Sequence, residues 1–453
     1  MSALSSEVLN PGVKKREVFG WAMYDFANSG YTTVVITAVF AAYFAGAITQ
    51  GAAWGPLAWT AALSTSYAIV MLTMPSLGAW ADMRASKKRL LAFFTVCCVL
   101  STAALALARP GDVVWAVVLI IFSNTFYSYG ESLTAAFLPE LAKPEGMGKV
   151  SGWGWGFGYI GGMLALGICL GYVLWAQARG QSAQQFVPVT MLITAGLYGG
   201  AAMVTFALLK ERALPATGQA GGLRSTQAQS AGLRESLRRL RHTWREARHY
   251  RDFIWLLACT VAYQGGVAVA ITLAAIYAEQ VIGFVQQETM VLIFVLNIAA
   301  AGGAFASGYL QDRMGHKLIL AVTLLGWIAT CIIAALAQTK GQFWWAAAIA
   351  GLSMGSCQSA GRAMVGLFAP QRQLAEFFGL WTVATRLASI IGPLSYGIIT
   401  WATGGNQRVA IAATTVLFIL GLLALLPINV QRGRAAALGA PPASHGQHAF
   451  QSG

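Results

Sequence analysis

The chain has 453 residues and a formal charge of +14, yet only 10% of its residues are charged and 57% are hydrophobic. Soluble domains carry about 25% charged residues, so this composition excludes an ordinary soluble globular protein. The positive charge is not accompanied by a basic and aromatic recognition module, and nucleic acid is therefore not expected as a partner.

The apolar residues fall into twelve long segments. A helix of about 20 apolar residues crosses the ~30 Å hydrocarbon layer of a lipid bilayer. Since backbone polar groups in lipid need partners within the segment, continuous apolar runs of this length are predicted to be helices. The sequence therefore predicts an all-α membrane protein with the lipid bilayer as a partner. The predicted spans are 18–47, 54–80, 90–108, 113–138, 150–175, 187–209, 253–280, 288–311, 317–337, 342–369, 377–402 and 408–429.

Basic residues alternate between the connections. Of the 30 Lys and Arg residues, 24 lie in the two termini and the even-numbered connections, and four lie in the odd-numbered connections. The remaining two, Arg362 and Arg386, lie within apolar segments. Because positive charge is retained on the cytoplasmic side, both termini are predicted to be cytoplasmic, with the protein in the plasma (inner) membrane.

The predicted helices form two groups of six. Residues 1–17 form an N-terminal segment, 18–209 the first six-helix bundle and 253–430 the second. The linker at 210–252 contains ten basic residues, and its second part predicts a basic amphipathic helix that lies on the inner leaflet. A solvated helix that joins the two bundles is the alternative. The tail at 431–453, rich in Ala, Gly, Pro and Gln, is predicted to be disordered.

The two groups repeat each other in sequence. Matching residues lie 230 or 231 positions apart, and six helices per group give both groups the same orientation in the membrane. The matching pairs are Asp82 with Asp312, Pro139 with Pro370, and Gly161 with Gly392. We therefore predict a parallel repeat about an axis along the membrane normal.

Cysteines and histidines do not indicate a metal or cofactor. All six cysteines lie in apolar segments without a CxxC pair, as expected for small buried side chains. All five histidines lie in predicted cytoplasmic segments, which excludes a histidine proton relay within the membrane. No Walker loop, Ser–His pair or zinc motif indicates an enzyme.

A short polar loop occurs twice, after the second and the eighth predicted helix. The second copy has the pattern Gly-x-x-x-Asp-Arg-x-Gly-x-Lys, and the first copy has Met83 and Ala85 in place of Arg and Gly. The second copy comprises Gly308, Asp312, Arg313, Gly315 and Lys317, and the first retains Gly78, Asp82 and Lys87. This pattern resembles the signature loop of the major facilitator superfamily.

Several other runs narrow the resemblance. They are WAMYDFANSGYTT (21–33), FLPEL (137–141), SGWGWGFGYIGG (151–162), GSCQSAGRAMVGLFAP (355–370) and AEFFGLW (375–381). Together they resemble the vacuolar amino-acid effluxer (autophagy-related) family and its bacterial relatives. The resemblance implies the major facilitator fold and transport by alternating access. It also implies a solute path lined by helices one, four, seven and ten, and signature loops that brace the two halves in one state and release them in the other.

Four ionisable side chains lie within the apolar spans: Asp25, Glu131, Arg362 and Arg386. A charge at the centre of a bilayer costs about 2.5–3.5 kcal/mol on insertion scales, so these groups are expected to face protein or a wet cavity. Glu131 and Arg362 lie 231 positions apart, at equivalent depth in the two halves. In a functional interpretation they hold opposite ends of a zwitterion, or exchange a salt bridge for solute and proton. In a structural interpretation they pair with each other or with Asp25 and Arg386 as a permanent latch, or cap backbone groups at helix ends.

Polar side chains at helical spacing accompany these charges. Candidates to line the path are Asn28, Tyr31, Asn124, Tyr127 and Gln358. A carboxylate is the natural proton carrier, because desolvation favours its neutral form and a nearby arginine favours its charged form. Glu131 is the first choice and Asp25 the second, and coupling to sodium is left open.

Glycines in the fifth predicted helix recur every four residues. Gly154, Gly158 and Gly162 remove side chains from one helix face, which allows a neighbouring helix to pack closely. Gly156, Gly158 and Gly161 also match the dinucleotide pattern GxGxxG, but no strand precedes them, and nucleotide binding is not expected.

The leading hypothesis is a monomeric secondary active transporter that moves a small polar solute, with an amino acid as the expected solute, together with or against protons. A multidrug or organic-anion exporter is the alternative. A membrane sensor or scaffold that does not transport is a third possibility from a different class.

Overall fold

The computed structural model describes residues 6–52, 54–212 and 250–439. Within these ranges the chain is built from α-helices, and its one β-contact is an isolated bridge between Leu9 and Ala142. The sequence-based prediction of an all-α membrane fold is confirmed.

Twelve long helices are present in the described ranges. They are α1 (Lys15–Ile48, with π-helical turns at Thr32–Ala38 and Phe44–Ile48), α2 (Gly55–Arg84), α3 (Lys87–Ala104), α4 (Val113–Ala135), α5 (Met147–Ala178), α6 (Ala183–Leu208), α7 (Arg251–Tyr277), α8 (Gln286–Met314), α9 (His316–Leu336), α10 (Lys340–Phe368), α11 (Leu374–Ala402) and α12 (Gln407–Leu425). Eleven of them are long and apolar enough to cross a membrane. The exception is α10, which carries Arg362, two glutamines and several serines along its 29 residues.

The helices form two six-helix halves, α1–α6 and α7–α12. Equivalent contacts within the halves show the repeat directly. The Tyr24 hydroxyl packs on Gly130 where the Tyr263 hydroxyl packs on Gly361. The repeat therefore shifts α1 onto α7 by 239 positions and α4 onto α10 by 231.

A second pair of contacts confirms this register. The backbone oxygen of Phe26 meets Gly161, and that of Gly265 meets Gly392. A Cβ at either glycine would collide with that oxygen, so glycine is needed for α5 to approach α1 and for α11 to approach α7. Phe26 and Gly265 are again 239 positions apart.

The bundle has two ends that differ in charge. We call the end that carries the α2–α3, α4–α5, α8–α9 and α10–α11 connections the basic end, and the other the opposite end. Helix α2 packs on α11, and α5 packs on α8 and α10, so these helices form the seam between the halves.

The first residues of the C-terminal tail are helical. A short helix, α13 (Val430–Ala437), lies at the basic end, where the prediction placed a disordered segment from residue 431. Arg432 binds both oxygens of Asp252 at 2.7 Å, which fixes α13 to the start of α7. Residues 440–453 lie outside the described residues, as does the predicted amphipathic helix of the linker, within 213–249.

Candidate solute site and inter-half contacts

The four ionisable side chains within the apolar spans form two ion pairs, and each pair joins the two halves. Arg362 on α10 binds Asp25 on α1, with Nη1 2.7 Å from Oδ2. Arg386 on α11 binds Glu131 on α4 through Nη2 and Oε2. Glu131 and Arg362, the two residues at equivalent depth, therefore do not pair with each other. Of the pairings that the sequence left open, the structure has Arg362 with Asp25 and Glu131 with Arg386.

The Asp25–Arg362 pair is enclosed by protein. The Arg362 side chain is 3% exposed and that of Asp25 is 12% exposed. Arg362 also donates from Nη2 to the backbone oxygen of Ser151 at 2.9 Å and from Nε to the Ser151 hydroxyl at 3.2 Å. Its guanidinium lies 4.7 Å from the ring centroid of Trp21 and 5.3 Å from that of Trp155. These contacts compensate the guanidinium for lost water, as a buried charge requires.

The Glu131–Arg386 pair is more open. The Glu131 side chain is 31% exposed, against 11% for Arg386. The rings of Tyr67 and Tyr127 lie 5.4 Å and 5.8 Å from the Arg386 guanidinium. Arg386 Nε is buried and has no hydrogen-bond partner among the described residues. This pair thus combines an accessible carboxylate with a guanidinium that has an unused donor.

The polar residues predicted to line a path divide into two groups. Four of them connect helices of the first half through hydrogen bonds or ring stacking. Asn28 accepts a hydrogen bond from the Tyr198 hydroxyl at 2.9 Å, Tyr31 shares a hydrogen bond with the Ser123 hydroxyl, and Asn124 donates one to the Ser66 hydroxyl. The Tyr127 ring stacks on the Tyr31 ring with centroids 4.9 Å apart. Gln358, in the second half, accepts a hydrogen bond from Gln264 at 2.6 Å. Of the first group, only Tyr127 also lies beside an ion pair.

Sequence reasoning did not single out Ser151, Trp21, Tyr67 or Gln264. Nothing in the local pattern distinguishes Ser151, Trp21 and Tyr67 from other small or aromatic residues of these helices. Trp155 lies 231 positions before Arg386 and so occupies the equivalent place on α5. That offset is the signal that would have linked it to the site.

The signature aspartates join the halves at the basic end. Asp312 accepts hydrogen bonds from the backbone N–H groups of Gly148 at 2.9 Å and Lys149 at 3.2 Å, in the first turn of α5. Asp82 accepts from the backbone N–H of Glu376 at 3.0 Å, in the first turn of α11. Each aspartate therefore caps the N-terminus of a helix in the other half, where free N–H groups and the helix dipole favour a negative charge.

The signature glycines allow these caps to form. A Cβ on Gly308 would lie 2.9 Å from the backbone oxygen of Gly148, and a Cβ on Gly78 would collide with the backbone of Ala375. Either side chain would separate the two halves at the aspartate. Gly315 adopts φ +93°, a left-handed conformation that suits glycine, and Ala85 adopts φ +46° in the first copy.

The remaining basic residues of the two copies have different partners. Lys87 is buried and binds the Glu140 carboxylate, and its Nζ lies 3.9 Å from Asp82 Oδ1. Lys317 instead donates to the backbone oxygens of Leu426 at 2.9 Å and Ile428 at 2.7 Å, after α12. Arg313 is exposed. Only the first copy therefore places a lysine beside its capping aspartate.

An ion network at the start of the linker was also not anticipated. Arg212 binds Glu17 at 2.8 Å, and its backbone N–H donates to Glu140 at 3.1 Å. Glu211 accepts from the N–H groups of Lys87 and Lys88 at the start of α3, and burial raises the pKa of its carboxyl. The first described residues of the linker are thus bonded to the start of α3 and to Glu140, the partner of Lys87.

Comparisons with known proteins agree with this architecture. Residues 58–438 match the family model described as "Vacuole effluxer Atg22 like". The chain is 29% identical over 414 residues to the "Uncharacterized MFS-type transporter YxiO" of Bacillus subtilis, which covers 89% of this chain and 93% of that protein. It is 25% identical over 308 residues to "Autophagy-related protein 22-1" of Aspergillus fumigatus, which covers 64% of this chain and 49% of that protein. The chain thus spans about half the length of this fungal relative.

Among solved structures, the human organic anion transporter MFSD10 superposes with a TM-score of 0.66 at 15% sequence identity. The match covers 91% of this chain and 99% of that chain. At this identity the likeness establishes the shared fold.

Proposed function

The chain belongs to the Atg22-like vacuole effluxer family, as a multi-pass membrane transporter of the major facilitator type, and we propose that it moves an amino acid across the membrane by alternating access, coupled to protons. The observation that carries this proposal is the Glu131–Arg386 pair. It joins the two halves, it includes an accessible carboxylate, and its guanidinium has an unused donor.

The chemistry of the pair suits a zwitterion. The ammonium group of an amino acid takes the place of Arg386 at Glu131, and its carboxylate takes the place of Glu131 at the Arg386 guanidinium. Arginine binds carboxylates through two parallel N–H donors, and Nε supplies one of them here. A solute that bears both charges exchanges one ion pair for two, so no charge is left unpaired in the membrane.

Proton coupling follows from the same exchange. In this conformation the Arg386 guanidinium neutralises the Glu131 carboxylate. In the step of the cycle that returns without solute, the halves separate and Glu131 loses this partner, and a proton then takes the place that the solute ammonium group holds in the loaded step. Asp25 is less suited to this role, because its partner Arg362 is also held by Ser151 and two tryptophans.

Alternating access requires the halves to separate at each end in turn. The capping bonds of Asp82 and Asp312 hold them together at the basic end. By the distribution of basic residues this end is cytoplasmic, in the plasma membrane, so the capped conformation is closed toward the cytoplasm. Opening to the cytoplasm breaks both caps and both ion pairs.

The proposal is tested by counterflow of a panel of labelled amino acids into proteoliposomes at two pH values. The wild type is expected to exchange amino acids with a pH-dependent rate. The Glu131→Gln variant is expected to lose that pH dependence and about tenfold in exchange rate, because a hydrogen bond to a charged group such as the solute ammonium contributes about 1.5–3 kcal/mol. Glu279→Gln, an exposed carboxylate beyond α7, serves as the matched control and should behave as wild type.

Other outcomes point elsewhere. If hydrophobic dyes or organic anions compete and amino acids do not, the protein is an exporter of those compounds. If no solute in a broad panel moves, and neutralising Glu131 and Arg386 changes no measured property, the transport proposal is wrong.

A further inference from the structure

The internal repeat relates Asp25 to a glutamine in the other half. The shift of 239 positions that brings Tyr24 onto Tyr263 also brings Asp25 onto Gln264. This register rests on the two pairs of equivalent helix contacts described above, made by the tyrosine before and the residue after each of these positions. Gln264 is therefore the counterpart of Asp25 on α7.

The repeat also relates the partner of Asp25 to Glu131. Asp25 reaches across the seam and binds Arg362 on α10 at 2.7 Å. Arg362 and Glu131 are equivalent under the shift of 231 positions. The counterpart of this contact, made from the second half, would join Gln264 on α7 to Glu131 on α4, across the seam from the bond that Gln264 makes in this conformation.

Gln264 has the hydrogen-bonding capacity that such a position needs. Its side chain is largely buried, and its Nε2 donates to Gln358 Oε1 at 2.6 Å. A carboxamide offers two donors and one acceptor group, so this bond occupies one of the two donors of Gln264. Glu131 already has Arg386 as its partner in this conformation, and Gln264 stays within its own half.

We propose that Gln264, supported by Gln358, is a specificity-determining residue of the solute site that selects amino acids with an uncharged hydroxyl or amide side chain. The proposal rests on the proposed function of the Glu131–Arg386 pair. With the solute ammonium at Glu131 and the solute carboxylate at Arg386, Gln264 contacts the side chain that projects between the halves.

The chemistry of the amide sets the direction of selection. A site built to hydrogen-bond a polar group rejects an analogue that lacks this group, because its own buried donors are then left unpaired. An apolar side chain of the same shape, as valine has relative to threonine, is therefore disfavoured. Removing the amide is expected to remove the preference rather than transport itself.

The first experiment tests the geometry without requiring transport. Gln264→Cys is combined with Glu131→Cys, a protease site is placed in the linker, and the protein is treated with a short bis-maleimide, which alkylates one cysteine thiol at each end. The double variant should migrate as one joined chain after cleavage. Each single-cysteine variant controls for the six native cysteines and should separate into two fragments. Failure of the double variant to crosslink overturns the placement of Gln264.

The second experiment tests selection. Wild-type exchange should favour threonine over valine by at least about tenfold, which corresponds to ~1.4 kcal/mol. The Gln264→Met variant, which keeps length without hydrogen bonds, should reduce this ratio to near one while it still exchanges amino acids. The matched control is Gln280→Met, at the opposite end, and it should keep the wild-type ratio. Elution of each variant as a single species in detergent establishes that it is folded.

The outcomes separate the two proposals. An unchanged ratio in a transporting Gln264→Met variant overturns the role of Gln264 and leaves the transport proposal intact. If the wild type moves no amino acid, the proposed function and the selection both fail, whatever the crosslinking result.

Discussion

The two faces of the seam that the repeat makes equivalent differ in their chemistry. On the face between α4 and α11, Glu131 meets Arg386. On the equivalent face between α10 and α5, the counterparts are Arg362 and Trp155, a guanidinium on an aromatic ring at 5.3 Å. The acid that neutralises Arg362 comes instead from a third helix, at Asp25 on α1.

This difference gives the two pairs different roles: the enclosed pair holds the halves together, and the open pair is suited to exchange its partners for a solute. Arg362 is held by one carboxylate, two contacts to Ser151 and two rings, and is 3% exposed, so displacing any single partner leaves the others in place. Glu131 has one charged partner and is 31% exposed. A solute can compete for the second arrangement far more readily than for the first. The following substitutions, in decreasing order of their effect, test this contrast between the enclosed and the open pair.

The largest effect on stability is expected from Arg362→Ala. It leaves Asp25 charged and buried without its partner, and breaking one side of a buried ion pair costs about 3–5 kcal/mol. Thermal unfolding in detergent should show a marked decrease in Tm. Arg386→Ala, at the open pair, should lower the Tm much less, because water reaches Glu131. Equal losses in both variants would contradict the distinction between an enclosed and an open pair.

Asp25→Asn in the Arg362→Ala background refines this prediction. Removing the unpaired carboxylate should recover part of the lost stability, since the penalty comes chiefly from the isolated charge. A double variant no more stable than Arg362→Ala would mean that the ring and Ser151 contacts of the guanidinium, rather than its ion pair, carry the stability.

An intermediate effect is expected at the basic end. Asp312→Asn keeps one acceptor oxygen for the cap on α5 but removes the second acceptor and the negative charge, and a charge at a helix N-terminus contributes about 0.3–1 kcal/mol. The conformation that is closed at the basic end should become less populated. A cysteine introduced at Ser359, which is buried between the halves, should then react faster with a thiol reagent. Asp82→Asn should act in the same direction but also remove the carboxylate that lies 3.9 Å from the Lys87 ammonium. Unchanged labelling in both variants would show that the caps do not hold this end closed.

The smallest effect is expected from Trp155→Phe. Phenylalanine keeps an aromatic ring beside Arg362 but weakens a cation–π contact that contributes about 0.5–2 kcal/mol, and the contact of Arg362 with the Trp21 ring at 4.7 Å is unchanged. A small decrease in Tm with normal solute exchange is expected. A loss of exchange at normal stability would place Trp155 in the solute path and make the two faces more alike than their chemistry indicates.

Much of the fold follows from the chain alone. Apolar runs long enough for the membrane determine the number of helices, and the near-constant offset of matching residues determines the division into two like-oriented halves. The same rules identify the four side chains that must find partners inside the membrane, because an isolated charge is too costly there. Helix ends extend several residues beyond the predicted spans, as with α2, which continues to Arg84, since charged residues end the apolar pattern before they end the helix.

The pairing of those four charges was decided by the tertiary structure. Sequence offsets give the depth of Glu131 and Arg362, but depth does not determine which helices meet across the seam or which way a side chain turns. Gly154 lies against both Asp25 and Arg362, and its missing side chain leaves room for the guanidinium to pass between α5 and α1. Arg386, on the helix that faces α4, is then the cation within reach of Glu131. Such choices depend on contacts between segments hundreds of residues apart, which no local pattern contains.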